Sequence, residues 1–456
     1  MTSQPPADQP NPSREGVLPS DKPTTASASG EAAPQRRKSV LFRNRDFLWV
    51  WTGESISLLG SEISVLALPS LAVLAFGEGA MGVGLLVALQ WLPFVVLAPV
   101  LGVFTDRMLR RTLMQVSNLA RFVILGSLPF AWILDGLTIQ HVYIVALLKG
   151  VFDVIYQLAY QAYLPQLVAR EDLIDGNAKT QLSRSLAVVF GRSVGGGLVS
   201  LLGAARAIGV DALSYLISSL ALSRVRTPEP EMSQAQRGVD AALVDFRSGV
   251  KMTFGNRLLR SLSLMAMCGN LAVSMVLAMV IVYSYQNLGF SAGQVGLALG
   301  VGGAPVLVGA ILSRRLNEKF GMGRTLILTH ALLVVAFLLL PLADTVPAVW
   351  TAFVVVVIAQ GIASFGTPIA NVGIMTLIQK ATPPQAMGRV GGVALPFVWG
   401  ANAAGPLLGA AIAAGLGVVV SFYAAAALAA LAIVWIFVGS IQRLTDDVPE
   451  EMHVVV

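Results

Sequence analysis

Residues 80–111 read AMGVGLLVALQWLPFVVLAPVLGVFTDRMLRR. From Ala80 to Thr105 the run contains no charged side chain, and then Asp106, Arg107, Arg110 and Arg111 crowd into six positions. At a rise of about 1.5 Å per residue, about 20 apolar residues cross the ~30 Å hydrocarbon core of a bilayer. The run is therefore long enough to span, and the charge cluster marks where it leaves the hydrocarbon. A surface helix of a soluble protein would carry a charged face over this length, and this one carries none.

The same pattern recurs outward in both directions. Apolar spans are predicted at 47–76, 80–105, 112–136, 139–166, 177–202 and 204–222, and again at 261–288, 291–313, 322–343, 347–379, 386–413 and 416–440. Over the 456 residues, 55% are hydrophobic and 12% charged, which leaves too little polar surface to cover a soluble globule of this size. The expected fold class is an all-α membrane protein with twelve transmembrane helices in two six-helix bundles. Residues 1–43, rich in Pro, Ser, Ala and Thr and without an apolar signal-peptide core, read as a disordered tail. The expected division is then 44–223 for the first bundle, 224–260 for a linker with an interfacial helix, 261–441 for the second bundle, and 442–456 for a short tail.

Charge sets the expected orientation. Of 31 Lys and Arg, 26 fall on the side shared with the termini, Arg206 alone falls on the other, and Arg121, Lys149, Arg184 and Arg192 lie within spans. The positive-inside rule then places both termini in the cytoplasm of a cell whose inner membrane the chain crosses. The net charge of +6 is accounted for by span ends, so a nucleic-acid partner is not expected. Cys268 is the single cysteine, and His141, His330 and His453 are scattered without ligand spacing, so neither a disulfide nor a metal site is expected.

The halves echo one another. Gly102-x-x-x-Asp106-Arg107 returns 207 residues later as Gly309-x-x-x-Ser313-Arg314, and Gly191-x-x-x-Gly195 returns 214 residues later as Gly405-x-x-x-Gly409. A near-constant offset with unchanged topology indicates a parallel six-plus-six repeat.

Energy for any transport has to come from outside the chain's own chemistry. GNAKT at Gly176–Thr180 lacks the spacing of a phosphate loop, and GVGG at Gly300–Gly303 lies inside a span, where close helix packing explains it. No cofactor and no enzymatic activity are expected, and an ion gradient is the expected source. Charged side chains inside a bilayer cost roughly 2.5–3.5 kcal/mol each on the translocon scale. Eight occur, all in the first half: Glu54, Glu62, Arg121, Lys149, Asp153, Arg184, Arg192 and Asp211. By depth they sort into two layers of two acids and two bases, with Glu54, Arg121, Asp153 and Arg184 nearer the terminal side. Glu54, Ser57, Ser61 and Ser64 share a stripe on the first span, and Lys149, Asp153, Tyr156 and Tyr160 share one on the fourth, as faces turned to a water-filled cavity would. Ser263, Asn270 and Ser274 on the seventh span, and Gln360, Ser364, Thr367 and Asn371 on the tenth, form neutral polar stripes. The first half is expected to bind the proton, with Glu54 as first carrier, Asp153 and Glu62 next, and Arg121 and Lys149 competing for the carboxylate. The second half, with Ser57, Ser61, Tyr156 and Tyr160 from the first, is expected to hold substrate. Lys149–Asp153 at i,i+4, and Arg192 with Glu62 or Asp211, read equally as structural ion pairs.

The loop GVFTDRMLRR resembles the G-x-x-x-D-R-x-G-R-R signature of the major facilitator superfamily, matching at Gly102, Asp106, Arg107, Arg110 and Arg111, with Leu109 in place of the usual glycine. GESISLLGSEISVLALPSLAV, AYLPQLV with Asn177, VDALSYL and MGRVGG resemble the third drug:proton antiporter family within it, which includes macrolide-efflux proteins and the enterobactin exporter. That resemblance implies helices 1 and 4 lining a central cavity, and a gating latch built from Gly102, Asp106, Arg107, Arg110, Arg111 and Arg389. It implies export of a small amphiphilic molecule (drug, antibiotic or siderophore) by proton antiport, from a monomer embedded in lipid. Symport of a nutrient and a non-transporting sensor or scaffold are the alternatives. One departure is Gly191-Arg192, where the antiporter motif has Gly-Pro; Gly405-Pro406 keeps it.

Overall fold

The computed structural model describes residues 44–97, 101, 108–169, 172–229, 239–444 and 449. Among them the regular structure is helical. The helices are α1 (Arg45–Phe76), α2 (Ala80–Val96), α3 (Arg110–Ile133), α4 (Ile139–Leu167), α5 (Leu173–Leu202), α6 (Ala204–Ser223), α7 (Val239–Gly255), α8 (Arg257–Gln286), α9 (Ala292–Gly303), α10 (Pro305–Phe320), α11 (Met322–Leu339), α12 (Val349–Ala381), α13 (Met387–Leu416) and α14 (Val418–Val438). Among the described residues eleven segments are long and apolar enough to cross a membrane, and Ala80–Val96 is a shorter apolar helix. The eighth span, expected over 291–313, is one apolar segment over Ala292–Phe320 whose helix breaks at Ala304 into α9 and α10, with Pro305 opening the second. Proline has no N–H for the ladder but is preorganised for a first helical turn.

Local sequence explains where helices begin and end. Asn44 caps α1 by accepting from the Phe47 N–H at 2.9 Å, and its amide donates to the Leu167 carbonyl at the end of α4 at 2.7 Å. Gly77 closes α1 in the left-handed region at φ 68°, returning N–H groups of Gly77 and Glu78 to the Val73 and Ala72 carbonyls. Ser291 and Gln294 form a capping box on α9.

Glycine stripes set which helices touch. On α5 a Cβ at Gly191 would stand 2.6 Å from Glu62 Cβ, and one at Gly195 would stand 3.1 Å from the Ile63 Cα, so α5 lies directly on α1. In the second half Gly405 and Gly409 of α13 press on Ser274, Met275 and Met279 of α8 in the same way. The halves meet by the same rule twice. A Cβ on Gly84 of α2 would be 2.7 Å from the Pro406 carbonyl oxygen of α13, and one on Gly296 of α9 would be 2.7 Å from the Arg192 carbonyl oxygen of α5. Arg192 and Pro406 occupy corresponding positions of the sequence repeat, so its pseudo-twofold is expressed in the contacts themselves. α1 and α8 meet at the ends away from the termini, where Ser70 bonds Tyr285 at 2.7 Å and Gln286 donates to the Glu78 carbonyl at 3.3 Å.

The linker helix α7 lies on α13, with Gly249 under the Arg389 carbonyl and Phe254 5.3 Å from Phe397, while Arg247 and Lys251 are exposed. The two largest apolar clusters hold Leu68, Leu71, Leu86, Leu125 and Ile208 in the first half, and Met275, Met279, Tyr283, Phe337 and Phe422 in the second, with smaller ones around Phe47 and Met114 and around Leu262 and Met265.

Candidate functional site

All eight intramembrane charges lie among α1, α3, α4, α5 and α6, where seven of them pair, and the largest group joins Arg121, Lys149 and Asp153. Asp153 is its hinge point: its carboxylate accepts from Lys149 Nζ at 2.7 Å and from Arg121 Nη1 at 3.0 Å. Arg121 is 4% exposed. Its second terminal nitrogen bonds Asn118, and its guanidinium lies between the rings of Tyr156 and Tyr215, 4.2 and 4.3 Å from their centroids. Two aromatic faces and a carboxylate hold a planar cation in a way that an ammonium could not match. Its Nε is buried without a hydrogen-bond partner among the described residues.

Glu54 differs from the other paired acids. Tyr156 donates to it at 2.5 Å, and its nearest base is Arg184 at 3.8 Å, beyond hydrogen-bond distance. The Glu54 side chain is 6% exposed while that of Arg184 is 37% exposed, so the carboxylate is enclosed and its counter-ion reaches outward. Glu62 faces α5 and bonds Arg192 at 2.8 Å. Asp211 is fully buried and accepts from Ser64 and from Ser214, the latter at 3.2 Å.

Pairing departs from the two-layer expectation. Lys149 crosses layers to join Asp153, and among the described residues Asp211 has no Lys or Arg nitrogen within 4.0 Å. The i,i+4 pair of Lys149 with Asp153 forms, and of the two acids the sequence left open for Arg192 it bonds Glu62.

The polar stripes are placed as follows. Ser61 bonds the Tyr215 hydroxyl at 2.9 Å and Ser64 bonds Asp211, so that part of the α1 stripe faces α6 rather than open space. Ser57 is buried. Tyr156 and Tyr160 stack with centroids 6.1 Å apart, both buried, and Tyr160 reaches the Thr180 hydroxyl at 3.3 Å. Ser274 is buried, bonding the Asn270 and Ala401 carbonyls, and Asn270 is half-buried with its amide on the Ala266 carbonyl. Gln360 packs over Gly302; Ser364 is half-buried and Asn371 exposed.

Of the expected latch, Gly102, Asp106 and Arg107 lie outside the described residues. Arg110 and Arg111 are bound to the first half and to the start of the linker. Their N–H groups donate to the Glu229 carboxylate at 2.7 Å each, capping α3. Arg110 Nη1 bonds the Ala162 carbonyl of α4, and Arg111 bonds the Leu222 and Ser223 carbonyls closing α6. Arg389 is half-buried at the start of α13, and its carbonyl seats α7.

Sequence reasoning passed over Tyr215 and Asn118. The signal was present: Asp211, Ser214 and Tyr215 stand at i, i+3 and i+4, and Asn118 and Arg121 at i and i+3, so each set shares one helix face.

A network of ion-paired side chains inside membrane helices, in a molecule of two packed halves related by a repeat, is the architecture of a solute carrier. The sequence profile of the Major Facilitator Superfamily matches residues 50–401. The chain belongs to that superfamily. It is accordingly a multi-pass membrane transporter and not an enzyme. Proteins similar to this transporter include the multidrug efflux pump Tap of Mycolicibacterium fortuitum, 26% identical over 379 residues covering 80% of this chain and 88% of Tap. The enterobactin exporter EntS of Salmonella choleraesuis is 27% identical over 383 residues, covering 81% and 84%. Solved structures share the fold at low identity. A bacterial homologue of the lysosomal transporter Spinster, inward-facing and unoccupied, superposes with TM-score 0.68 at 12% identity, covering 90% of this chain and all of the other. A bacterial homologue of the iron transporter ferroportin, also inward-facing, gives 0.68 at 17%, covering 88% and all of the other.

Proposed function

We propose that this transporter exports a small amphiphilic molecule across the inner membrane in exchange for protons, with both termini in the cytoplasm. The observation that carries the reading is Glu54: a carboxylate enclosed between α1, α4 and α5, bonded to a tyrosine, with its arginine held off at 3.8 Å. A buried carboxylate can shed the cost of its charge by taking a proton, so its occupancy follows the compartment it faces. Asp153 and Glu62, held by bases at 2.7–3.0 Å, then serve mainly as counter-ions that keep Lys149, Arg121 and Arg192 in the membrane. The named efflux pump and siderophore exporter among the relatives support export of an amphiphile. The meeting of α1 and α8 at their far ends, together with the 37% exposure of the Arg184 side chain, supports a conformation open toward the side of the termini. Protonation of Glu54 in one state and release in the other would bias the exchange of states.

A strain lacking the protein should become more sensitive to at least one amphiphilic compound in a screen, and an uncoupler should abolish the difference. Added to energised everted vesicles, that compound should release lumenal protons in step with its own uptake. Proton flux in the opposite sense would assign symport and overturn export.

A further inference from the structure

Asp211 is the one intramembrane acid of the first half that has no base within 4.0 Å among the described residues. It is wholly buried on α6 and is held by hydroxyls, Ser64 from α1 and Ser214 from its own helix. The cradle is tight: a Cβ on Gly60 would stand 2.6 Å from an Asp211 carboxylate oxygen and 2.3 Å from Ser214 Oγ, so α1 leaves no room for a bulkier partner. Every group around it is accounted for. On α1, Ser61 is taken by Tyr215, and Glu62 is turned to Arg192 of α5. On α3, Arg121 is taken by Asp153, Asn118 and two rings. On α4, Lys149 and Asp153 are the charges that act on Asp211, and they bond each other at 2.7 Å. On α6, Tyr215 lies one turn on, with its ring 5.9 Å from Lys149.

A carboxylate sealed from water, hydrogen-bonded by hydroxyls alone and with the nearby Lys149 already bonded to Asp153, keeps much of its charging cost, whereas a carboxyl group in the same place is neutral and can still hydrogen-bond both serines. We propose that Asp211 is a second proton-binding position of this transporter, occupied by a proton in the conformation described. It is separate from Glu54 in depth. Asp211 lies beside Gly60 and Ser64, six and ten residues further along α1 than Glu54, which is about 9–15 Å toward the far ends of the helices at ~1.5 Å per residue. Arg121, between Tyr156 and Tyr215, stands between the two acids: Tyr156 bonds Glu54, and Tyr215 is the neighbour of Asp211. Two acids on either side of one fixed cation make a pair of proton stations, one toward each compartment. This extends the proton-exchange reading above, in which Glu54 is the other station.

The test needs no substrate. Infrared spectroscopy of the purified full-length protein at neutral pH should show the carbonyl stretch of a protonated carboxyl group. Asp211→Asn should remove that band, and Glu54→Gln should leave it. Asp211→Glu should shift its frequency, which decides the matter should Asp211→Asn fail to fold. A band unchanged in the Asp211 variants, or no such band in the wild type, overturns the proposal. Because this readout is independent of transport, its failure would leave the Glu54 reading standing, and loss of the Glu54 reading would not erase the band.

Discussion

Arg121 carries a full positive charge at a site where only 4% of its surface is exposed, and four neighbours share the task of keeping it there. Removing one member of a buried pair costs about 3–5 kcal/mol because the other charge is stranded. Arg121→Ala should therefore lower the thermal midpoint of the detergent-solubilised protein by an amount equivalent to about 3 kcal/mol, with Lys149 limiting the loss. Arg121→Lys should recover only part of it, since an ammonium cannot lie flat between Tyr156 and Tyr215. Glu54 predicts the opposite signature. Glu54→Gln keeps a partner for Tyr156 and should leave the thermal midpoint within about 1 kcal/mol of wild type, while coupled proton flux in vesicles falls at least tenfold. Much of this was legible beforehand, because charged residues are rare enough in apolar spans that each of the eight stands out. Lys149 with Asp153 was legible too, as an i,i+4 pair; what the sequence left open was whether Arg192 answers Glu62 or Asp211. Helical phase gives a direction around one axis, and that choice depends on how α5 is rotated against α1 and α6. For the same reason the Ser61–Ser64 stripe, polar enough to suggest a water-facing surface, turned out to face α6.

At the scale of helices, Gly196 and the α3 cap carry the most specific consequences. A Cβ on Gly196 of α5 would come within 2.6 Å of the Gly296 Cα and 2.7 Å of the Ala292 carbonyl oxygen, backbone atoms that cannot step aside. Overpacking of this kind costs about 1–3 kcal/mol. Gly196→Leu should thus drive α5 and α9 apart, and cysteines placed at Ser200 and Gly293, in contact across the same seam, should crosslink far more slowly in that variant. Glu229, reaching from the linker onto the first two amides of α3, acts as an N-cap with a full negative charge at the positive end of the helix. Glu229→Ala should cost about 1 kcal/mol and speed hydrogen exchange at Arg110 and Arg111. Most span positions were readable to within a few residues from apolar run length, while the eighth runs on to Phe320 and the expected end of the second at 105 lies outside the described residues. The division of the eighth span into α9 and α10 was not, because Pro305 sits in an apolar run that continues unbroken on both sides. Arg192 shows a different limit: it stands where the motif has proline, and its partner on α1 explains the residue only once α5 is laid against Glu62.

Over the whole molecule, the repeat visible as offsets of 207 and 214 residues reappears as two equivalent seams, Gly84 on Pro406 and Gly296 on Arg192. The eight intramembrane charges all lie in one of the two halves that these like seams join, which is the arrangement that a rocking exchange between two states would use. The second half supplies neutral side chains, so a proton taken up by the first half changes its charge without touching the other. The most direct measurement is the distance between spin labels at Ser223→Cys and Gln385→Cys, one in each half on the face of the termini, with Cys268 replaced by serine. The account predicts that the distance distribution shifts with pH between two populations in the wild type and stops shifting in Glu54→Gln. A pH-dependent shift that survives intact in Glu54→Gln would contradict it.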